Sequence, residues 1–483
     1  MAKTLVIVPH EDDELSVAGQ LLVSLSKSKV NESYVVFMTN GDIQPFIGGV
    51  RIKEAINSLS VLGIEESHIF FLGYGNEWNS NKHIYNCDKS QKIISQGGFE
   101  RTYSILEHPE YCYLKYGVHH LYTRENIKND LLGLLYDLSP EFIICVDYDS
   151  HVDHRATSLL FEECMGEILK SKVGYMPIIW KKFGYLGAWN GPKDYYKHEV
   201  TRNPYANEKT DNPMFKWSER IRVQVDDSCK TWLLRDNIIY KAALCHKTQN
   251  AWLNVQRLCN EDVVYWKRNT NNYMLRAHIS AETGNYGCLN DFIVTNSADI
   301  GKKKFITDDM TLWHPTDIAR SATFEFDNPV HATRIVFYES PLPEDHIKNI
   351  LVRINDKYAF ATGELNCGGR ASVYCLEYND IRKIEIKIED WEGDFPGLSE
   401  VELLGEMEEE CLPEGIRYYE ESDSKELLQG SILVIIEYWL LRLKAFWTTA
   451  LFPNHYLMAK KYPIIQRKRM LLPVYWIIDW LMR

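Results

Sequence analysis

Short, uniformly apolar runs alternate with helix-spaced patterns over the first third of the chain. Leu5–Val8, Tyr34–Met38, His68–Leu72 and Phe142–Val146 read as strands buried on both faces. Between them, Arg51–Gly63 sets Ala55, Ile56, Leu59 and Leu62 on one helical face with Gly63 as a stop, and Asn129–Leu138 ends at Ser139-Pro140. This alternation predicts an α/β unit in which helices cross between the strands of a parallel sheet. From Trp180 to about Gly287 the periodicity weakens and Tyr, Trp, Asn and basic residues accumulate, which reads as loops and short elements completing the first domain.

Beyond residue 290 the period changes to two. Ile384, Ile386 and Ile388 alternate with Lys and Glu, and Phe324 and Phe326 flank Glu325, the pattern of strands with one buried face. A β-sandwich is expected there. An acidic stretch from Glu406 to Glu426 reads as a linker, and from Ser431 onward the chain is rich in Leu, Ile, Trp and Tyr. The expected division is therefore 1–288, 289–406, a linker over 407–430, and amphipathic helices over 431–483. A chain of 483 residues is in any case longer than one hydrophobic core usually organises.

Charge and cysteine usage narrow the setting. With 54 basic against 67 acidic residues the net charge is -13, which argues against a surface that tracks phosphates, so no nucleic-acid partner is expected. The apolar strand begins directly at Leu5, leaving no room for a charged leader and cleavage site. Eleven cysteines without a C-x-x-C pair fit reduced thiols better than a disulfide framework or a thiolate zinc site. A cytoplasmic protein is the expectation. The tail over 431–483 reverses the sign, with eight Lys/Arg and two Asp/Glu, a net +6. Glu437, Arg442 and Lys444 interrupt its apolar stretch, so it is expected to lie on an anionic membrane surface, on the inner face of the cytoplasmic membrane, rather than to span it; a helical pair packing on the protein's own domains or on a second subunit is the alternative.

The chemistry is concentrated in two segments. Pro9-His10-Glu11-Asp12-Asp13-Glu14 directly follows the first strand, where an α/β sheet presents ligand-binding groups. Alone it reads equally well as acidic capping of the next helix. Ser150-His151-Val152-Asp153-His154 also follows an apolar strand and opens a helical pattern, so both clusters can meet at one sheet edge. Two imidazoles and a carboxylate from His10, Asp13 and His154 would make a zinc site with an open position for water.

These segments resemble the PIG-L-type N-acetylglucosaminyl deacetylase family, which carries a P/A-H-x-D-D segment and an H-x-D-H segment. The similarity extends through Thr39-Asn40-Gly41-Asp42, Arg51 with Glu54 and Ala55, Phe71-Leu72-Gly73 and Cys245-His246-Lys247-Thr248-Gln249, over roughly residues 4 to 285. The resemblance implies a Rossmann-like domain, a single Zn2+ on His10, Asp13 and His154, Asp12 as the base that deprotonates water, and a protonated His151 against the oxyanion. It further implies an N-acetylated sugar as substrate, with Arg51, Asp42 and His246 at the sugar. Glu11 stands where the family often has Pro or Ala; it is expected either to turn outward or to bias the metal preference.

Asp147-Tyr148-Asp149 has the acidic spacing by which many glycosyltransferases hold a metal and a nucleotide sugar, but that reading leaves the His10–Asp13 cluster unexplained. A sugar-binding protein without activity would not need Asp12 and His151. In the second domain, Trp313-His314-Pro315, Ile335–Tyr338 and Leu398–Leu403 resemble a discoidin-type jelly-roll sandwich. That resemblance implies a second glycan site with Trp313 or Trp391 as stacking residues, against the alternative of a packing module. Tyr462–Ile465 and Leu471–Trp476 are similar to closing segments of bacterial surface-polysaccharide assembly enzymes, which implies a role in surface glycan synthesis.

Overall fold

The computed structural model describes residues 2–77, 82–147, 149, 151–184, 219–231, 234–254, 258–259, 262–294, 312–316, 320–342, 344–406 and 410–420, together with positions 436, 439, 440, 443 and 477. The first unit is built on a seven-stranded sheet in the order β3-β2-β1-β4-β5-β7-β6. Strands β1 (Ala2–Val8), β2 (Asn31–Thr39), β3 (Ile69–Tyr74), β4 (Phe142–Val146) and β5 (Ile178–Lys182) run parallel. Leu5 to Val8 and the whole of β4 are buried, as strands covered by helices on both faces must be. Helices α1 (Asp13–Val17) and α2 (Gly19–Ser26) follow β1, α3 (Ile47–Val61) buries Ile52, Ala55 and Leu59, and α4 (Tyr111–Tyr116) follows β3. Helix α5 (Arg124–Leu138) starts at Thr123, whose hydroxyl accepts the Asn126 N–H at 3.2 Å, and ends at Ser139 with φ 44°. Helix α6 (Val152–Ser171) runs through the core and starts at His151.

The chain winds outward from β1 to β3 and then returns to place β4 on the other side of β1. This reversal opens a crevice beyond the carboxyl ends of β1 and β4, where a doubly wound sheet binds its ligands. The expected parallel sheet is thus present, but the sheet is mixed: β7 (Asp262–Arg268) pairs antiparallel with β5, and β6 (Ile221–Gln224) pairs antiparallel with β7. The weak periodicity of this stretch predicts loops and short elements instead. Strand β7 is buried at every position except Lys267, so period two is absent and the charges of Asp262, Lys267 and Arg268 hide a core strand.

The second unit is an antiparallel sheet of β8 (His278–Ala281), β9 (Ser321–Glu339), β10 (His346–Ile354), β11 (Tyr358–Ala361), β12 (Ser372–Glu392) and β13 (Leu398–Leu404). Ile384, Ile386 and Ile388 are fully buried, and they share one core with Phe324, Phe337, Val352 and Val401. Strands β9 and β12 pair at both ends and lose register between Cys375 and Lys383. Most of the linker and nearly all of the tail lie outside the described residues, so the helices expected over 431–483 are not described. Among the described residues no helix is long and apolar enough to cross a membrane. None of the eleven cysteines is paired.

A buried charge network joins the two units. Arg268, at the end of β7, donates through Nη1 to Glu402 of β13 and through Nη2 to the Phe292 carbonyl at 2.9 Å, with Nε 3.9 Å from Glu162 of α6. Glu400 accepts the Phe292 N–H at 3.0 Å, and burial pushes its carboxyl well above the usual carboxylate range. On the other side, Glu162 receives Lys181 at 2.6 Å and the Val294 N–H at 3.0 Å. Removing one partner from such a network strands the others in low dielectric, at a cost of about 3–5 kcal/mol. Arg268→Ala is expected to lower the stability of the chain by that amount, read as a fall in the urea midpoint, with Arg268→Lys intermediate because ammonium cannot span the contacts.

Candidate metal centre

His10 leaves the carboxyl end of β1 and Asp13 opens a short helix, α1 (Asp13–Val17), so both side chains face the crevice from one turn. Their approach is close. His10 Nδ1 lies 2.8 Å from Asp13 Oδ2, and His154 Nε2, from the first turn of α6, lies 3.1 Å from the same oxygen. His151 caps α6, its Nδ1 accepting the Asp153 N–H at 3.2 Å. One ring nitrogen from each of His10, His151 and His154 lies within 4.8 Å of the others.

Behind these rings stand two buried carboxylates. Asp153 Oδ2 holds His10 Nε2 at 2.8 Å while its Oδ1 holds His83 Nε2 at 2.8 Å. Asp149 Oδ2 holds His154 Nδ1 at 2.7 Å and accepts the Gly184 N–H at 3.0 Å; its Oδ1 accepts the His151 N–H at 2.9 Å. Gly184 fits because a Cβ there would come within 2.6 Å of His154 Cε1. His10 and His154 therefore each have the far nitrogen fixed and the near nitrogen turned to Asp13, the arrangement by which outer carboxylates orient metal-ligating histidines. Two imidazole nitrogens and a carboxylate oxygen converging in this way fit zinc with a position left for water.

The charges agree with that fit. Burial alone would lower the pKa of His10, but Asp13 and Asp153 outweigh it and hold the ring up at about 9. Burial likewise opposes charge on His154, and Asp13 and Asp149 hold it well above its ordinary value. The same imidazoles, against the effect of burial, keep Asp13 well below the usual carboxylate range.

Asp12 stands beside this cluster in a strained backbone, with φ 131° and its side chain 23% exposed. Its N–H donates to Glu14 at 2.8 Å, and Arg51 Nη2 donates to its Oδ1 at 3.1 Å. Burial raises its carboxyl to about 6 against the pull of Arg51. Glu11 is turned inward, not outward: it is fully buried and pairs with Arg51 Nε at 3.2 Å. Arg51 also donates to the Glu11 and Gly41 carbonyls, at 2.8 and 3.3 Å, so it clamps the His10–Asp13 turn from beneath.

Several expected roles change once the side chains are placed. His246 is fully buried and pairs with Glu14 at 2.6 Å, which makes it a support of the turn rather than a sugar contact. Asp42 is buried and accepts the Asn76 N–H at 2.8 Å and the Ser95 hydroxyl at 3.0 Å. Asp147 receives Ser158 and Lys181 at 3.1 and 3.2 Å while Asp149 holds His154, so the two acids of the transferase reading point to different partners. His151 is held neutral: burial, with the charges of His10 and His154, pushes it down to about 2. Trp313 is 1% exposed in the second core, its Nε1–H bonded to the Thr283 carbonyl at 3.2 Å, so it offers no stacking face. Trp391 is half-buried, with the Arg320 guanidinium 4.8 Å from its ring centre. The reading missed Asp149 and Asp153 as orienting groups, although both stand within five residues of His154. It also missed His83, a lone histidine in a polar stretch that carries no signal of its own.

Residues 5–165 match the PIG-L family model, described as GlcNAc-PI de-N-acetylase. That is one third of the chain, and it contains both metal-site segments. No curated protein matches the chain. Among solved structures, the chain is similar to an N,N'-diacetylchitobiose deacetylase from Pyrococcus horikoshii, at 20% identity over 37% of this chain and 59% of that one, with a TM-score of 0.25. A deacetylase of the teicoplanin biosynthesis pathway is 13% identical over 55% of this chain and 97% of its own, with a TM-score of 0.32. GalB, the 4-carboxy-2-hydroxymuconate hydratase of Pseudomonas putida KT2440, is 13% identical over 52% of this chain and 82% of its own, with a TM-score of 0.27.

Asp149 is not itself an expected ligand, yet it fixes the far nitrogen of His154, so its loss bears on metal binding. Asp149→Ala is expected to weaken zinc affinity by about 10–100-fold. Competition against a chromophoric chelator measures it, and unchanged affinity would remove the orienting role.

Proposed function

We propose that the chain hydrolyses the N-acetyl group of an N-acetylated sugar, with one zinc ion held by His10, Asp13 and His154. The observation that carries the reading is the convergence of both imidazoles on Asp13 Oδ2, each anchored from behind by a buried carboxylate, with Asp12 alongside. The match of residues 5–165 to a de-N-acetylase family model supports the same chemistry.

Zinc supplies a Lewis acid there, able to lower the pKa of water from about 15.7 to about 7 and to polarise a carbonyl. The protein's own groups do the rest. Asp12 accepts the proton as water attacks the amide carbon; its pKa of about 6 makes it a better acceptor than an ordinary carboxylate. As the C–N bond breaks, the same proton passes to the departing amine, giving acetate and a free amino sugar. Arg51 keeps the Asp12 carboxylate in place. His151, its Nδ1 occupied by a backbone N–H, carries its proton on Nε2 and keeps it there while donating a hydrogen bond to the developing oxyanion. A donor of this kind contributes about 2.7–4 kcal/mol to the transition state.

The same proposal assigns the enzyme to surface glycan synthesis in the cytoplasm. It reads the antiparallel unit as a discoidin-type jelly-roll with Trp391 at a glycan site, and the +6 tail as a segment lying on an anionic membrane surface. The single core shared by its strands supports the reading of the antiparallel unit, and the composition of the tail supports the membrane reading.

Zinc-loaded protein is expected to release acetate from at least one member of a panel of free, nucleotide-linked and lipid-linked N-acetylhexosamines. Asp12→Asn should retain zinc and lose about 10²–10⁴-fold in rate. Zinc-loaded protein that releases no acetate across the panel would return the site to a binding role.

A further inference from the structure

A second group of metal-type donors lies two strand positions from the crevice, at the edge of the parallel sheet. Helix α4 (Tyr111–Tyr116) carries Cys112, the connection to α5 carries His120, and α5 carries Asp130. Donor atoms from these three side chains lie within 4.8 Å of one another. His120 Nδ1 is 3.0 Å from Asp130 Oδ2, the spacing of two atoms that can bind one cation.

The surroundings fit a cation better than a hydrogen-bonded cluster. Asp130 is 1% exposed, and its Oδ2 already receives the Tyr74 hydroxyl at 2.7 Å as well as His120. Its Oδ1 is buried with no hydrogen-bond partner among the described residues. Such an oxygen is costly to leave unsatisfied. The Cys112 thiol is fully buried, 3.1 Å from the Thr102 hydroxyl and 3.9 Å from the buried Glu110 carboxylate. Two carboxylates therefore face a thiol in one small volume. The His120 side chain is 23% exposed and gives an ion a way in from the surface.

We propose that Cys112, His120 and Asp130 form a second divalent-cation site, suited to a thiophilic ion such as zinc. A soft sulfur with an imidazole and a carboxylate is a zinc-type donor set, at bond lengths of about 2.3 Å to sulfur and about 2.0–2.2 Å to nitrogen and oxygen. On binding, the S–H bond breaks, a sulfur–metal bond forms, and the proton leaves to solvent. The ion ties α4 and its following connection to α5, beside the Tyr74 end of β3. The site shares no residue with the candidate catalytic centre, so it stands whether or not the proposed reaction does.

Cobalt(II) distinguishes the two sites, because only this one offers a thiolate. The full chain, stripped of metal and titrated with Co2+, is expected to bind two ions, with a thiolate-to-cobalt charge-transfer band in the near ultraviolet. Cys112→Ser should abolish that band and reduce the stoichiometry from two to one, and His120→Gln should weaken binding of the same ion. His154→Ala should leave the band in place and remove the other ion. Absence of the band in the unmutated, folded chain overturns the proposal. So does a band that survives Cys112→Ser and disappears in Cys367→Ser, since Cys367 lies 3.4 Å from His346 in the second unit. Circular dichroism of each variant separates loss of the site from loss of the fold.

Discussion

The candidate centre depends on two aspartates whose carboxylates are buried behind histidines. Asp149 and Asp153 would be expensive to hold in the interior if they were not paired, and each is paired to the far nitrogen of a ring that faces the crevice. The same pairing that permits their burial fixes the direction of His10 and His154. Helix α6 makes this compact: its cap residue, its first turn and the loop before it supply His151, Asp153, His154 and Asp149.

A second layer of buried charge stabilises the first. Glu11 and Arg51 pair beneath the His10–Asp13 turn, and Glu14 links the same turn to His246 and Ser58. Asp12 is the member of this segment left partly open to solvent, in a backbone conformation that costs energy. The buried pairs hold the turn from behind and leave one strained acid at its surface. Elsewhere, buried charges run from Lys181 and Glu162 to Arg268 and on to Glu402, so the first unit and the base of the second share a network of their own.

The tertiary fold also separates residues that look alike in sequence. Trp313 and Trp391 are both tryptophans in a strand-rich region, yet one is a core residue and the other is half-buried. Asp147 and Asp149 sit two apart and serve different partners, a lysine and a histidine. Arg51, Asp42 and His246 are polar residues of the kind that bind sugars, and all three are consumed by contacts within the protein.

By itself the sequence determined the strands of the parallel sheet, the change to period two near residue 290, and the two segments that meet at the metal centre. These are local properties: an apolar run of strand length, an alternation, and ligand types at fixed spacing after a strand. Only the tertiary structure decided which nitrogen of each histidine faces the site, that Glu11 turns inward to Arg51, that His83 joins Asp153, and that β7 is a core strand despite its charges. It also brought Cys112, His120 and Asp130 together across α4 and α5, without a motif to announce them. Each of these depends on partners distant in the chain and on which groups must be paired once water is excluded, and spacing along the sequence carries neither.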